Sequence, residues 1–191
     1  ILSVNTARVE KRLINGRLVA TAIGKRPREG AVAYGPMGLD GDEQADPTVH
    51  GGLSKAVYAY PSEHLAVWRT MRAQAGVGDW DHTVPPGLMG ENLTLEGLLE
   101  KDLWLGDRLC FDDGGVLVVS EPRRPCFKFN AAMGFDQASK LMFANGWCGF
   151  YLSVRVAGTL RAGETFEFIP GPREVGIVEL FRSRASSLKR S

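Results

Sequence analysis

One thiol in this chain sits in a strongly positive stretch. In Pro122-Arg123-Arg124-Pro125-Cys126-Phe127-Lys128, Arg123, Arg124 and Lys128 flank Cys126. Neighbouring positive charge favours the thiolate, the form that attacks electrophiles and binds metals. A helix starting beside the cysteine would favour it further. A thiolate selects soft or redox metals, and the same cations suit a phosphate or another anion. The plainer alternative is a small buried apolar side chain, the usual fate of a cysteine outside a disulfide. Cys110, between Leu109 and Phe111, and Cys148, in Trp147-Cys148-Gly149-Phe150, have apolar neighbours and are expected in the core.

Two further segments could join this site. Asp46-Pro47-Thr48-Val49-His50-Gly51-Gly52 is followed closely by Lys55. Adjacent glycines let backbone amides approach an anion, and His50 could bind a ligand or move a proton near neutral pH. The alternative there is a tight turn carrying a solvated histidine. Gly90-Glu91-Asn92-Leu93, taken alone, is a turn into a strand. Other chemistries find no support. Asp40, Asp42, Glu43 and Asp46 suggest a calcium loop, but Ala45 and Gly51 stand where such a loop needs Gly and Glu. His50, His64 and His82 have no zinc-like spacing to the cysteines. Phosphate-loop, dinucleotide and nucleophile-elbow motifs are missing.

The elements that must hold these residues are short. The 191 residues include 23 glycines and 10 prolines, above the usual combined share of about 12%, and they follow no period. Residues 4–9 and 17–24 are β-branched segments joined through Asn15-Gly16, the strongest two-residue hairpin signal. Further strands are expected at 31–34, 55–60, 90–95, 103–105, 108–111, 116–120, 150–156 and 164–169. A helix is expected over 63–75, capped by Ser62, with Leu65, Trp68, Met71 and Ala75 on one face. Residues 127–133 and 137–144 are expected as two short helices after the Cys126 corner, and 174–184 as one more. Residues 35–52 and 79–89 read as long loops. The count suggests a mainly β barrel or pseudo-barrel with a few short helices plugging its ends.

Lys+Arg is 23 and Asp+Glu 22, a net charge of +1, which argues against a nucleic-acid partner. No run of about 18 apolar residues is present, so no membrane-spanning helix is expected. Three cysteines in a chain of this size suggest a reduced, cytoplasmic protein.

Taken in order, these segments resemble the MOSC domain, found at the C-terminus of molybdenum cofactor sulfurases and as stand-alone bacterial proteins of the YiiM type. The resemblance runs through Gly41-Asp42-x-Gln44-Ala45-Asp46, His50-Gly51-Gly52, Ala56-Val57-Tyr58-x-Tyr60-Pro61-x-Glu63-His64 and Gly90-Glu91-Asn92. It continues through Gly106-Asp107, Pro122-Arg123-x-Pro125-Cys126-Phe127-Lys128 and Cys148-Gly149. It implies a MOSC-type β-barrel over 1–170 and a short C-terminal tail over 171–191, at most one helix, where YiiM-type proteins carry three. It also implies binding of molybdenum cofactor, a pterin dithiolene bearing a phosphate, with Cys126 as molybdenum ligand. Arg123, Lys128, Gly51, Gly52, Lys55 and Asn92 are the expected cofactor-binding residues, and His50 joins Cys126 as a catalytic candidate for proton delivery. The implied reaction is reduction of small N-hydroxylated compounds such as hydroxylaminopurine bases, a detoxification. The alternative is a carrier of the cofactor, or of persulfide sulfur on Cys126. With no iron–sulfur cysteine cluster and no dinucleotide fingerprint, a reductase would need a separate flavin or iron–sulfur partner. Whether the chain forms a homodimer is left open.

Overall fold

A computed structural model describes residues 1–46 and 51–187. Its first strand, β1 (Ser3–Thr6), is buried throughout because it lies inside an eight-stranded sheet. It stops at Thr6, short of the expected residue 9. There the chain leaves the sheet, and the N–H groups of Ala7 and Val9 donate to Asp42 and Glu43. The hairpin that follows, β2 (Glu10–Ile14) and β3 (Arg17–Thr21), is a separate two-stranded ribbon. Asn15 and Gly16 both take positive φ, 50° and 74°, the geometry that a two-residue turn between twisted strands requires.

Short strands β4 (Arg26–Pro27), β5 (Val32–Gly35) and β6 (Gly38–Leu39) come next. The last falls within residues 35–52, expected as loop; it is a two-residue strand that folds Leu39 back on Tyr34. β7 (Val57–Pro61) is buried at every position because it lies within the sheet. It runs antiparallel to β11 (Phe150–Val156) and parallel to β8 (Leu93–Leu95). A parallel pair needs a crossover, supplied by a 3-10 turn at Ser62–His64, helix α1 (Leu65–Gln74) and the irregular residues 75–92. The tighter turn takes the place of the expected first helical residues, and Ser62 makes no capping bond. Trp68 anchors the helix, fully buried, with its indole N–H donating to the Tyr60 hydroxyl at 2.6 Å.

The remaining strands are β9 (Arg108–Cys110), β10 (Val116–Pro122), β12 (Gly158–Leu160) and β13 (Glu167–Ile169). Residues 103–105, expected as a strand, follow a 3-10 turn at Glu100–Asp102, and only Trp104 pairs, in a single bridge to Gly176. The main sheet has the order β13-β9-β10-β11-β7-β8-β1-β4, and β12-β5-β6 form a small second sheet. The β10–β11 register slips at Val116/Leu117 and again at Val119/Glu121. Such irregularities bend a strand pair, and the sheet curls into a half-barrel. Three helices complete the mainly β fold: α2 (Phe127–Met133), α3 (Ala138–Asn145) and α4 (Ile177–Ser187). Ile177 and Phe181 of α4 are buried in the same core as the strands, and Phe181 stacks on Phe143 at 5.0 Å. Gly149 presses the start of β11 onto β7. At its φ of 62° a Cβ would lie 2.5 Å from the Ala59 carbonyl oxygen.

Candidate functional site

The Cys126 corner is held from both sides. Pro122, the last residue of β10, pairs with Phe150 of β11. Four residues later Cys126 is extended, with φ −128° and ψ 178°, and its carbonyl accepts the Phe129 N–H at 2.8 Å to open α2. The half-buried Cys126 lines a cleft whose walls also carry Arg123, Lys128, Lys55 and Asn92. Three segments far apart in sequence thus meet in one cleft.

Arg123 defines the charge of this cleft. Its side chain is 4% exposed, and its guanidinium lies 4.6 Å from the Phe129 ring centre and 5.4 Å from that of Tyr58. Its hydrogen bonds are long: 3.4 Å to the Met89 carbonyl and 3.5 Å to the Met142 sulfur. Among the described residues no carboxylate pairs with it. A permanently charged, buried group that neutral partners satisfy this poorly could be better satisfied by an anion. Lys55 lies 4.0 Å from Glu121 and 6.0 Å from the Tyr151 ring centre. Lys128 donates to the Ala20 carbonyl at 2.8 Å and so ties α2 to the end of β3.

Asn92 builds the wall. Its Oδ1 accepts the Tyr58 N–H at 3.0 Å, while its Nδ2 donates to the Asn5 carbonyl at 3.2 Å and to Asp42 at 2.9 Å. Gly51 and Gly52, expected to bind cofactor, are not among the residues that line the cleft. Gly52 takes φ 86° and donates its N–H to Gln44 Oε1 at 3.1 Å, which places the 3-10 turn that ends at Lys55. His50 lies outside the described residues. Of the other histidines, His64 contacts Glu100 at 2.8 Å and stacks on Trp147 at 5.3 Å, a core bridge that is not part of this lining.

Several cleft residues carried no chemical signal in the sequence. Lys25 is buried, pairs with Asp42, and lines the cleft with it. Burial lowers the Lys25 ammonium below its usual range, and Asp42 opposes that shift. The acidic spacing around Asp42 read as a failed calcium loop, whereas the carboxylate gathers donors from Ala7, Lys25 and Asn92. Tyr58 and Tyr151 line the cleft with rings 5.3 Å apart. Behind Met89 and Gly90 lies Glu91, fully buried, which accepts N–H groups from Gly87 at 2.6 Å and Met89 at 3.1 Å, and the Thr94 hydroxyl at 3.2 Å. Burial raises its carboxyl to about 7 despite those donors. Cys148 sits in the core as expected, and burial pushes its thiol well up. Cys110 is half-buried at the β9 edge of the core. Among the described residues no three His, Cys, Asp or Glu side chains are grouped to hold a metal ion by themselves. None of the helices described is long and apolar enough to cross a membrane.

Comparison with known proteins gives a consistent picture. The family model of the MOSC domain matches residues 46–167. The chain is 35% identical over 161 residues to protein YiiM of Escherichia coli strain K12, covering 83% of this chain and 68% of that one. It is 30% identical over 172 residues, 90% of its length, to a protein of Gibberella moniliformis named reductase, of which the match takes up 29%. The crystal structure of YiiM from Geobacillus stearothermophilus aligns with a TM-score of 0.74 at 29% identity, over 100% of this chain and 88% of that one.

Proposed function

This chain belongs to the MOSC domain family, and from that premise we propose that it is a molybdenum-cofactor-dependent reductase of N-hydroxylated compounds. The observation that carries the proposal is the meeting, in one cleft, of the Cys126 thiol with the buried Arg123 guanidinium, which no carboxylate among the described residues neutralises. The donor set fits the group: a soft sulfur ligand for a redox metal beside positive charge for a dithiolene and a phosphate. When bound, the cofactor supplies two-electron redox chemistry at molybdenum.

The chain's own residues then have distinct tasks. Cys126 is the molybdenum ligand. Arg123, Lys25, Lys55 and Lys128 hold the anionic cofactor in a cleft partly shielded from water, where their charge acts more strongly than on an open surface. Asn92, Asp42 and Glu91 fix the walls. Tyr58 and Tyr151 offer ring faces to a flat substrate such as a hydroxylaminopurine base. The overall reaction consumes two electrons and two protons, converts R–NHOH to R–NH2 and releases water. His50, in the segment leading to Gly51, is the proposed proton carrier. The electrons come from a separate flavin or iron–sulfur protein. The likeness to a protein named reductase, in which the matched portion is 29% of the whole, supports this reading.

Molybdenum and pterin analysis of protein made in a cofactor-competent host tests it. The wild type should carry near-stoichiometric amounts of both and reduce an N-hydroxylated purine with reduced methyl viologen. Cys126→Ala should abolish turnover while circular dichroism stays unchanged. Wild-type protein free of molybdenum, or active Cys126→Ala, refutes the proposal. Loaded protein that turns over no N-hydroxylated substrate is a cofactor carrier instead.

A further inference from the structure

The β2–β3 ribbon stands apart from both sheets and exposes apolar surface beside the cleft. Leu13 and Leu18 are cross-strand partners, 72% and 71% exposed. Leu13 forms one wall of a groove whose opposite wall is α2, beginning with Phe127, itself 51% exposed. Phe127 directly follows Cys126. The base of the ribbon, Thr21 to Ile23, lines the Cys126 cleft, and Lys128 bonds the Ala20 carbonyl. The groove and the cleft are therefore two sides of one wall. Isolated exposed leucines need no explanation, but an exposed leucine pair, one member of which faces a phenylalanine across a groove, has the make-up of an interface centre.

The ribbon that carries the two leucines is rich in basic residues. Residues 1–28 contain seven Lys and Arg against one acidic residue, Glu10, in a chain whose net charge is only +1. Lys11, Arg12 and Arg17 on the ribbon, Arg26 and Arg28 just after it, and Arg124 before Cys126 are all exposed. Two acids interrupt this rim, Asp136 in the groove lining and Glu10, which pairs with Arg12; an apolar centre whose rim is mainly basic favours a partner of opposite charge and speeds its encounter.

We infer that this face docks an acidic electron-carrier protein holding flavin or an iron–sulfur centre. The inference rests on the reductase reading above. The carrier is oxidised, and its electrons, two per N–O bond cleaved, enter through the wall that holds Cys126. The interface is of the small, transient kind that redox pairs use.

Two sets of variants test the surface without touching the cleft lining: Lys11→Glu with Arg17→Glu, and Leu13→Ser with Leu18→Ser. Binding of flavodoxin and of a plant-type ferredoxin, both acidic, is measured by biolayer interferometry, and viologen-driven turnover is measured in parallel. The wild type should bind at least one carrier, more weakly as salt rises. Both variants should weaken that binding at least tenfold and leave viologen-driven turnover within about twofold. Equal binding by wild type and variants overturns the proposal, as does no saturable binding of the wild type to either carrier. A homodimer that the leucine variant dissociates also overturns it, because a second copy would then cover the face. Loss of viologen-driven turnover in the wild type strikes the reductase reading instead, and the binding comparison still decides the surface.

Discussion

Exchanging Arg123 for Met should move stability and cofactor affinity in opposite directions. The guanidinium makes two ring contacts, at 4.6 and 5.4 Å, worth roughly 0.5–2 kcal/mol each. Its hydrogen bonds at 3.4 and 3.5 Å add little. Against these stands the desolvation of a buried ion, several kcal/mol even after relaxation. Methionine is unbranched and adaptable, so it can fill the space between Phe129, Tyr58 and Met142 without leaving a large cavity. The cofactor-free variant should therefore be as stable as the wild type or more so, by about 0–2 kcal/mol. At about 2–4 °C per kcal/mol for a domain of this size, that is a melting temperature unchanged or raised by several degrees. A charge-assisted bond to an anion is worth about 1.5–3 kcal/mol, so affinity for the cofactor should fall roughly 10- to 150-fold. Urea denaturation of cofactor-free protein gives the first quantity, and pterin content of protein from a cofactor-competent host reports the second. A variant destabilised by about 2 kcal/mol or more with undiminished pterin content would refute the reasoning and make Arg123 a structural strut. Arg123→Lys should keep part of the affinity, since it retains the charge but not the planar stack.

Three further outcomes follow from the walls. Asp42→Asn should cost about 3–5 kcal/mol in urea denaturation, because it leaves the buried Lys25 ammonium without its counter-charge; a loss below about 1 kcal/mol would show that Lys25 finds another partner. Glu91 binds its proton more tightly in the folded chain, at about 7 against the ordinary 4.5. Its contribution to stability is therefore full below about pH 4.5 and is lost as pH rises toward 7. The stability of wild type relative to Glu91→Gln should fall by about 2–3 kcal/mol between pH 5 and pH 8, and a pH-independent difference would contradict the assignment. Gly149→Ala should destabilise by about 2–4 kcal/mol, seen as a lower melting temperature, since its Cβ would meet the Ala59 carbonyl at 2.5 Å and the Tyr58 ring at 2.7 Å; a neutral result would show that β11 can draw away from β7.

The sequence exposed those parts of the site whose chemistry is local. Cys126 among its cations, the hairpin turn at Asn15-Gly16 and the two helices after the Cys126 corner were all legible, because each depends on neighbours within a few residues. The lysine at 25 was not. A single lysine in Gly24-Lys25-Arg26-Pro27 looks like any surface lysine until the fold sets Asn92, just before β8, between Asn5 of β1 and Asp42, and Asp42 against the lysine. Ser62 failed as a helix cap because Pro61 ends β7 and the next residues tighten into a 3-10 turn before the helix begins. β6 was invisible for a related reason: two residues carry no periodicity, and only the turn back onto Tyr34 makes them a strand.

Composition misled on charge, and the structure gives the reason. A chain of net charge +1 suggests no concentrated field, and acidic side chains do line the Cys126 cleft. The oxygens of Asp42 and Glu43 are already engaged by the walls. Asp42 accepts from Ala7, Lys25 and Asn92. Glu43 accepts the Val9 N–H and pairs with Arg8, and that backbone bond first, then Arg8, holds its carboxyl below the usual range. Neighbouring donors offset much of the negative potential of both groups. Among the described residues Arg123 has no such neutralisation, because its neighbours there are rings, a sulfur and a carbonyl. The field at Cys126 is thus set by which charges the fold pairs internally, and a positive cleft emerges from nearly equal numbers of acids and bases.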